Sequence, residues 1–343
     1  MEQQETERQA VLDAMEAYGI RRDSPFETMA GGTANRNYTI RSEGQTYIMR
    51  KRSAKYSADA WIEYEEQYLL HAAEKGIPVP VPMSAANGAR RCTVGKDTFQ
   101  LFPYMSGERY DPFDAEELAD AGAFLGSVHR AGEDFRPDIE KTLPRYDDPA
   151  VIAEALKKVS FERGDMAHSE RKTLDLMLAC AERVRERLTD EAYRSLPHTI
   201  IHGDYHPANV AFRDGRICAL YDFDWISRQP RLRDIADLIV YFAALRPEPL
   251  DGGSIYSLNQ GCTFDIVRAE TALQAYVDNA VMPLAGEEAA ALPDFMMARL
   301  LHSRVQALAK VPSERAIQVL VGAIEPALIW IEQHRKALTE RIR

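Results

Sequence analysis

Asp204, Asn209 and Asp222 are the residues whose types and spacing most directly suggest chemistry. They lie in one stretch, residues 201–224, reading I-H-G-D-Y-H-P-A-N-V-A-F-R-D-G-R-I-C-A-L-Y-D-F-D. Residues 209–213 and 216–221 alternate apolar with other side chains, and Asp214-Gly215 between them is a two-residue hairpin turn. Pairing outward from Arg213 opposite Arg216 sets Asn209 opposite Leu220. Asp222 then projects on the same side as Asn209, one pleat further out. An amide and a carboxylate converging at the open end of a hairpin suit Mg2+, which takes a few hard oxygen ligands and leaves the rest to substrate phosphates. Asp204, five residues before Asn209 on the loop entering the hairpin, is a candidate base. An alternative reads His202, Asp204 and His206 as ligands of a hydrolytic zinc. Pro207 directly after His206 and the lack of a second His-rich cluster argue against it.

The combination H-G-D-x-x-x-x-N, then a hairpin, then D-F-D, resembles the aminoglycoside phosphotransferase and choline kinase family, small-molecule kinases with a protein-kinase-like fold. The resemblance implies ATP and Mg2+ as cofactors, Asp204 and Asn209 as catalytic residues, and Asn209, Asp222 and Asp224 as metal ligands. It also implies an α+β, bilobal protein-kinase-like fold. A β-rich nucleotide-binding lobe would span 1–101 and a hinge 102–108. A helical lobe over 109–343 would carry the catalytic loop, metal site and acceptor pocket.

Several first-lobe segments fit that expectation. Gly31 and Gly32 would let backbone amides approach phosphates, and Asn35 closes the same segment. The strand Y-I-M-R places Arg50 where the family motif has Lys, a fork of donors in place of a point charge. Lys51 and Arg52 stay open as alternative contacts or solvated charges. A helix over 59–75, ending at Gly76, carries Glu65 and Glu66 beside an apolar stripe of Ile62, Leu69 and Ala73. A carboxylate there needs a partner, and the family pattern favours Glu65 paired with Arg50. In F-P-Y-M-S-G, Pro103, Tyr104 and Met105 would meet adenine.

The rest of the chain predicts helices. Asp114 reads as an N-cap, with Glu117 closing a capping box and Phe113 stapled to Leu118. His129 reads as a core histidine. Asp234 serves either as a helix N-cap or, by the resemblance, as a brace of the catalytic loop. Pro326 is expected to kink the last helix.

At 343 residues, 45% hydrophobic and 28% charged, the composition is that of a globular chain with a sizeable core. The net charge of −11 argues against nucleic acid or an anionic membrane as partner. The apolar runs 235–245 and 319–331 each fall short of a bilayer span. Four scattered cysteines without C-x-x-C spacing suit reduced thiols in the cytosol. Between residues 246 and 299 acids outnumber bases, so the expected acceptor is a cationic or polyhydroxylated small molecule bearing a hydroxyl. A homoserine-kinase-like amino acid kinase, a protein Ser/Thr kinase of the same fold and a non-catalytic nucleotide-binding regulator are the competing readings.

Overall fold

A computed structural model describes residues 2–29, 35–145, 148–162 and 166–340. The first lobe holds α1 (Glu2–Ala17), β1 (Phe26–Thr28), β2 (Arg36–Ser42), β3 (Gln45–Lys51), α2 (Asp59–Glu74), β4 (Cys92–Val94) and β5 (Asp97–Pro103). Its strands form one antiparallel sheet in the order β1-β2-β3-β5-β4. The second lobe begins with α3 (Ala115–Gly132), α4 (Pro149–Glu162), α5 (His168–Arg187) and α6 (Asp190–Ser195). Three short pieces of chain then build its working edge: β6 (His198–Ile201), the hairpin β7 (Val210–Arg213) with β8 (Arg216–Leu220), and β9 (Ser227–Pro230), which pairs with β6. The chain continues through α7 (Leu232–Asp237), a π-helical stretch Leu238–Ala243, α8 (Ile255–Leu258), α9 (Ile266–Asn279), α10 (Gly286–Ala307), α11 (Ser313–Val321) and α12 (Glu325–Glu340). The bilobal α+β architecture expected from the sequence is the one found.

Alternation along β3 divides the first lobe. Met49 joins Val11, Ala14 and Met15 of α1 in a small cluster with Tyr38, Ile40, Phe99 and Leu101. Ile48, Arg50 and Arg52 take the other face, and Arg52 extends the ladder, its N–H donating to Thr98 O at 2.9 Å. Helix α2 belongs elsewhere. Tyr64, Tyr68, Leu69 and Ala72 join the large core of the helical lobe, with the Phe135 ring edge-on to Tyr64 and Tyr68 at 5.5 and 5.3 Å. Burial of a side chain the size of Leu69 contributes about 1.5–3 kcal/mol, so α2 is anchored to the second lobe while its charged edge reaches the sheet of the first.

Local signals read from the sequence meet mixed outcomes. The turns after α1 and α2 use Gly19 and Gly76 at φ of +72° and +81°. Asp114 caps α3, accepting from the N–H groups of Glu116 and Glu117 at 2.8 and 3.2 Å. The capping box does not close: the Glu117 carboxylate accepts from Asp111 N at 2.7 Å, and Phe113 is 82% exposed, so no staple to Leu118 forms. The cause is an Asx turn in which Phe113 N donates to Asp111 Oδ1 at 2.9 Å and aims the ring outward. Pro326 is the second residue of α12, where a missing N–H costs nothing, so it starts that helix instead of kinking it. Taken together, Ser313–Glu340 has the length and apolarity of a membrane span. It is, however, broken into α11 and α12 at 322–324, and Leu320, Leu328 and Ile331 are buried in the helical core.

Candidate active site

The loop that carries His202 to Asn209 lies between β6 and the hairpin, held from below by two aspartates of α7. Asp234 accepts from the N–H groups of His202 (Oδ2) and Gly203 (Oδ1) at 2.6 and 2.8 Å, and its Oδ2 also lies 3.1 Å from His129 Nε2. It is therefore the brace of the loop and caps no helix. His129 is the buried, satisfied histidine expected, its Nδ1 2.9 Å from Tyr276 OH, and its satisfaction fixes Asp234. Asp237 accepts from Tyr205 N at 3.2 Å. Gly203 sits at φ +81°, and a Cβ there would lie 2.8 Å from Trp225 O, so the G of H-G-D allows the loop to press against the chain after D-F-D. His202 is not a metal ligand: its Nε2 is 2.8 Å from Tyr221 O and its Nδ1 accepts from Asp204 N at 3.3 Å.

Asp204 faces the cleft between the lobes. Arg299 of α10 donates to its Oδ1 at 2.7 Å, and His206 Nε2 is 3.4 Å from its Oδ2. Burial alone would raise the Asp204 pKa, but His206 and Arg299 outweigh it and hold the carboxyl well below the usual carboxylate range. The same Arg299 reaches Asp237 Oδ1 at 2.6 Å and lies 5.0 Å over the Tyr241 ring. One guanidinium thus serves two carboxylates. For Asp237, burial wins over Arg299 and its pKa is pushed up to about 7.

The hairpin forms through Asp214 and Gly215, both left-handed at φ +52° and +71°, and Arg213 opposes Arg216 as expected. The register then departs from the simple count. Ala211 opposes Ala219 while Phe212 opposes Ile217, so Cys218 is an extra residue on β8 and Val210, not Asn209, opposes Leu220. Asp222 reaches the cleft by a left-handed backbone, φ +63°, and not by strand alternation. Asn209 ends a short 3-10 turn, and its Nδ2 donates to Asp204 O at 3.0 Å, which leaves the amide oxygen as the end able to serve as a ligand.

The donor set fits a hard cation. Asp222 Oδ1 is buried, has no hydrogen-bond partner among the described residues and lies 3.8 Å from Arg50 Nη1. Burial and the neighbouring Asp224 carboxylate push the Asp222 pKa up, with Arg50 opposing, the condition of a carboxylate short of positive charge. Asp224 is more committed: Asn35 Nδ2 donates to its Oδ2 at 2.7 Å and Arg52 Nη1 is 3.1 Å from its Oδ1. Asn209 and Asp222 are thus the freer ligand candidates, and Asp224 faces a cation of the protein itself.

On the first lobe the expected ion pair is rearranged. Arg50 does not meet Glu65; its Nε donates to Asn37 Oδ1 at 3.3 Å and its guanidinium lies 5.6 Å over Phe102. Glu65 is buried between Arg52 Nη2 and Lys141 Nζ, each at 2.7 Å, and Lys141 also donates to Asp224 O at 2.8 Å. The reason is parity and reach: Arg50 and Arg52 share one face of the sheet, and the residue nearer α2 takes the carboxylate. Burial pushes the Glu65 carboxyl up and the Lys141 ammonium down, each opposed by its partner. Glu66 turns to Gln100 Nε2 at 2.9 Å, and Lys51 pairs at the surface with Asp97. Asn35 lines the cleft and braces Asp224, its other amide end accepting from Ser53 N at 2.9 Å. Gly31 and Gly32 lie outside the described residues.

Arg50, Arg52, Glu65, Asp204, Asn209, Asp222 and Asp224 line a cleft of about 1180 Å³ between the lobes. At the hinge Pro103, Tyr104 and Met105 line it, with Tyr104 N donating to Thr46 O at 3.1 Å and Tyr221 OH donating to Met105 O at 2.7 Å. The acids between 246 and 299 divide between the cleft and contacts within the helical lobe. Of the acids between 246 and 299, Glu248 and Asp251 line the cleft. Glu288 pairs with Arg231, Asp294 with Arg335, and Asp265 caps α9.

A sequence profile of the phosphotransferase enzyme family matches residues 26–276, most of the chain. The chain belongs to that family. A homoserine kinase of Acidiphilium cryptum is 26% identical over 289 residues, covering 83% of this chain and 80% of its own length. Stress response kinase A of Salmonella choleraesuis is 28% identical over 233 residues, 66% of each chain. Among solved structures, a microcompartment-associated aminopropanol kinase superposes with a TM-score of 0.70 at 16% identity, covering 98% of this chain and 99% of that one, a likeness of fold. This phosphotransferase is an ATP-dependent kinase with the protein-kinase-like fold.

Two side chains of this phosphotransferase, Lys141 and Arg299, escaped the sequence reading of its site. Arg52, left open there as an alternative contact to Arg50, stands two residues from it on one strand face and takes the carboxylate of Glu65. Lys141 lies in an irregular Pro- and Asp-rich segment, and Arg299 is 95 residues from the aspartate it holds; no local pattern marks either.

Proposed function

We propose that this protein transfers the γ-phosphate of ATP to a hydroxyl of a small molecule, with Mg2+ held by Asn209 and Asp222. The observation that carries this reading is the orphaned Asp222 Oδ1, a buried carboxylate oxygen facing Arg50 on a cleft wall shared with Asp204 and Asn209. Mg2+, when bound, would neutralise charge on the phosphates. Arg50, on the opposite wall, supplies a second cation for them. Ile48, Phe102 and Val210 line the part of the cleft that would hold adenine, and the Pro103 carbonyl and Met105 amide are the backbone groups that would meet its edge. Asp204, kept ionised by His206 and Arg299, orients the acceptor hydroxyl and takes its proton late, as suits a loose transition state. Arg52, Glu65 and Lys141 position: they tie α2 and the segment at Asp224 together, so that Asp222 and Arg50 keep their places across the cleft.

The test is an ADP-release screen with ATP and Mg2+ over homoserine, aminopropanol, choline, aminoglycosides and sugars, with Asp204→Ala as control. Acceptor-dependent ADP release that falls at least ~10²-fold in the variant is expected. Release without any acceptor dependence, or label moving from ATP to proteins of a lysate in place of small molecules, would overturn the reading.

A further inference from the structure

The cleft-facing side of α10 differs in character from the rest of the acceptor end. Arg299, Ser303 and Gln306 recur at helical spacing, and Lys310 follows in the turn after the helix, its N–H donating to Ala307 O at 2.9 Å. All four line the cleft, each offers a cation or a hydrogen-bond donor, and no carboxylate interrupts them. Arg299 is engaged by Asp204 and Asp237, and Ser303 Oγ donates to Asn259 Oδ1 at 3.0 Å. Among the described residues, the Gln306 amide and the Lys310 ammonium have no side-chain partner.

From the other lobe, Lys55 comes to the same end, its Nζ 5.6 Å over the Trp225 ring. Partial burial pushes the Lys310 ammonium down, Asp204 pulls it up and Lys55 pushes it down again, so Lys310 lies within the fields of both. Both ammonium groups line the cleft from different lobes, and an anion bound between them is attracted by each. On the facing loop, Asp251 is turned into its own backbone, accepting from Gly253 N at 2.9 Å, which leaves Glu248 as the acid opposite α10. Arg246 also lines this end, but its guanidinium caps the carbonyls of Val240, Tyr241 and Ala244.

We propose that this face of α10 recognises the acceptor, and that the acceptor carries an anionic group, carboxylate or phosphate, held between Lys310 and Lys55 with Gln306 donating to it. The inference rests on the kinase reading above and gives the acceptor the opposite charge to that expected from the acids of residues 246–299. It makes Lys310 and Gln306 determinants of specificity.

Matched pairs test it: β- and γ-hydroxy acids against their methyl esters, sugar phosphates against the parent sugars, and amino alcohols as the cationic arm, all by ADP release with the full chain. The wild-type protein should use the anionic member of at least one pair with kcat/KM about tenfold or more above its neutral partner; which pair responds distinguishes carboxylate from phosphate. Lys310→Glu should then lower the ratio of kcat/KM for that anion over an amino alcohol by about 100-fold, with Lys310→Gln intermediate and the loss mainly in acceptor KM. Because the ratio is taken within one protein, partial misfolding cancels. Esters or amino alcohols turned over as well as the anions, or a ratio unmoved in Lys310→Glu, would overturn the inference and leave the kinase reading intact. No ADP release with any acceptor would overturn both.

Discussion

Arg299 holds Asp204 and Asp237 together, so its removal should be read first in the charge of Asp204. Burial raises a carboxylate's pKa and a cation at hydrogen-bond distance lowers it; here the cations win at Asp204. In Arg299→Met that balance tips toward burial, the Asp204 pKa rises, and the acid limb of the kcat/KM profile moves to higher pH by about one pH unit or more. A pH–rate profile of the variant decides this, and an unmoved limb would mean that Arg299 only packs. Asp222 makes the complementary case. Its Oδ1 waits for positive charge, so Asp222→Asn should abolish the part of ATP affinity that depends on Mg2+, measured by calorimetry with and without the metal. Arg50 and Arg52 separate by the same reasoning. Arg52 is buried against Glu65 and Asp224 while the Arg50 side chain is 17% exposed to the cleft. Arg50→Ala should weaken nucleotide binding with little loss of stability, and Arg52→Ala should lower Tm.

At the scale of elements, α2 connects the two lobes. Its apolar face is packed into the helical core, and its Glu65 is gripped by Arg52 of the sheet and Lys141 of the 133–148 connection. Removing one partner of a buried charge network costs about 3–5 kcal/mol because the others stay buried and unpaired. Glu65→Ala leaves two cations facing each other without their carboxylate, and thermal unfolding should show a loss of that order; Glu65→Gln, which keeps hydrogen-bond acceptance, should lose less. The α2 boundaries were legible because Gly76 supplies a left-handed stop and the apolar stripe has helical spacing. Which strand residue Glu65 would meet was not legible, since Arg50 and Arg52 obey the same alternation and only the height of α2 above the sheet chooses between them. The hairpin shows the same division. Asp-Gly announced the turn, but nothing in the alternation announced the bulge at Cys218 that shifts every pair beyond it.

For the whole molecule, the cleft takes one wall from each lobe, with Arg50 and Lys55 on one side and Asp204, Asn209 and Asp222 on the other. A ligand that touches both walls stabilises the folded pair by mass action, about 2.7 kcal/mol at a hundredfold excess over Kd. Mg2+ with a non-hydrolysable ATP analogue should therefore raise Tm clearly, and the analogue with EDTA should raise it much less. Equal shifts under the two conditions would argue that the metal does not join the walls.

Local periodicity, turn chemistry and short spacing made the bilobal α+β fold, the Asp-Gly turn and the candidate set Asp204, Asn209 and Asp222 readable from the amino-acid sequence, because each depends on residues close together in the chain. The tertiary structure alone decided that Arg52 and Lys141 share Glu65, that Asn35 braces Asp224, and that Arg299 holds Asp204. These are contacts between segments tens to hundreds of residues apart, selected by which buried charges can reach one another once the cores have closed, and no pattern confined to one stretch of chain encodes that.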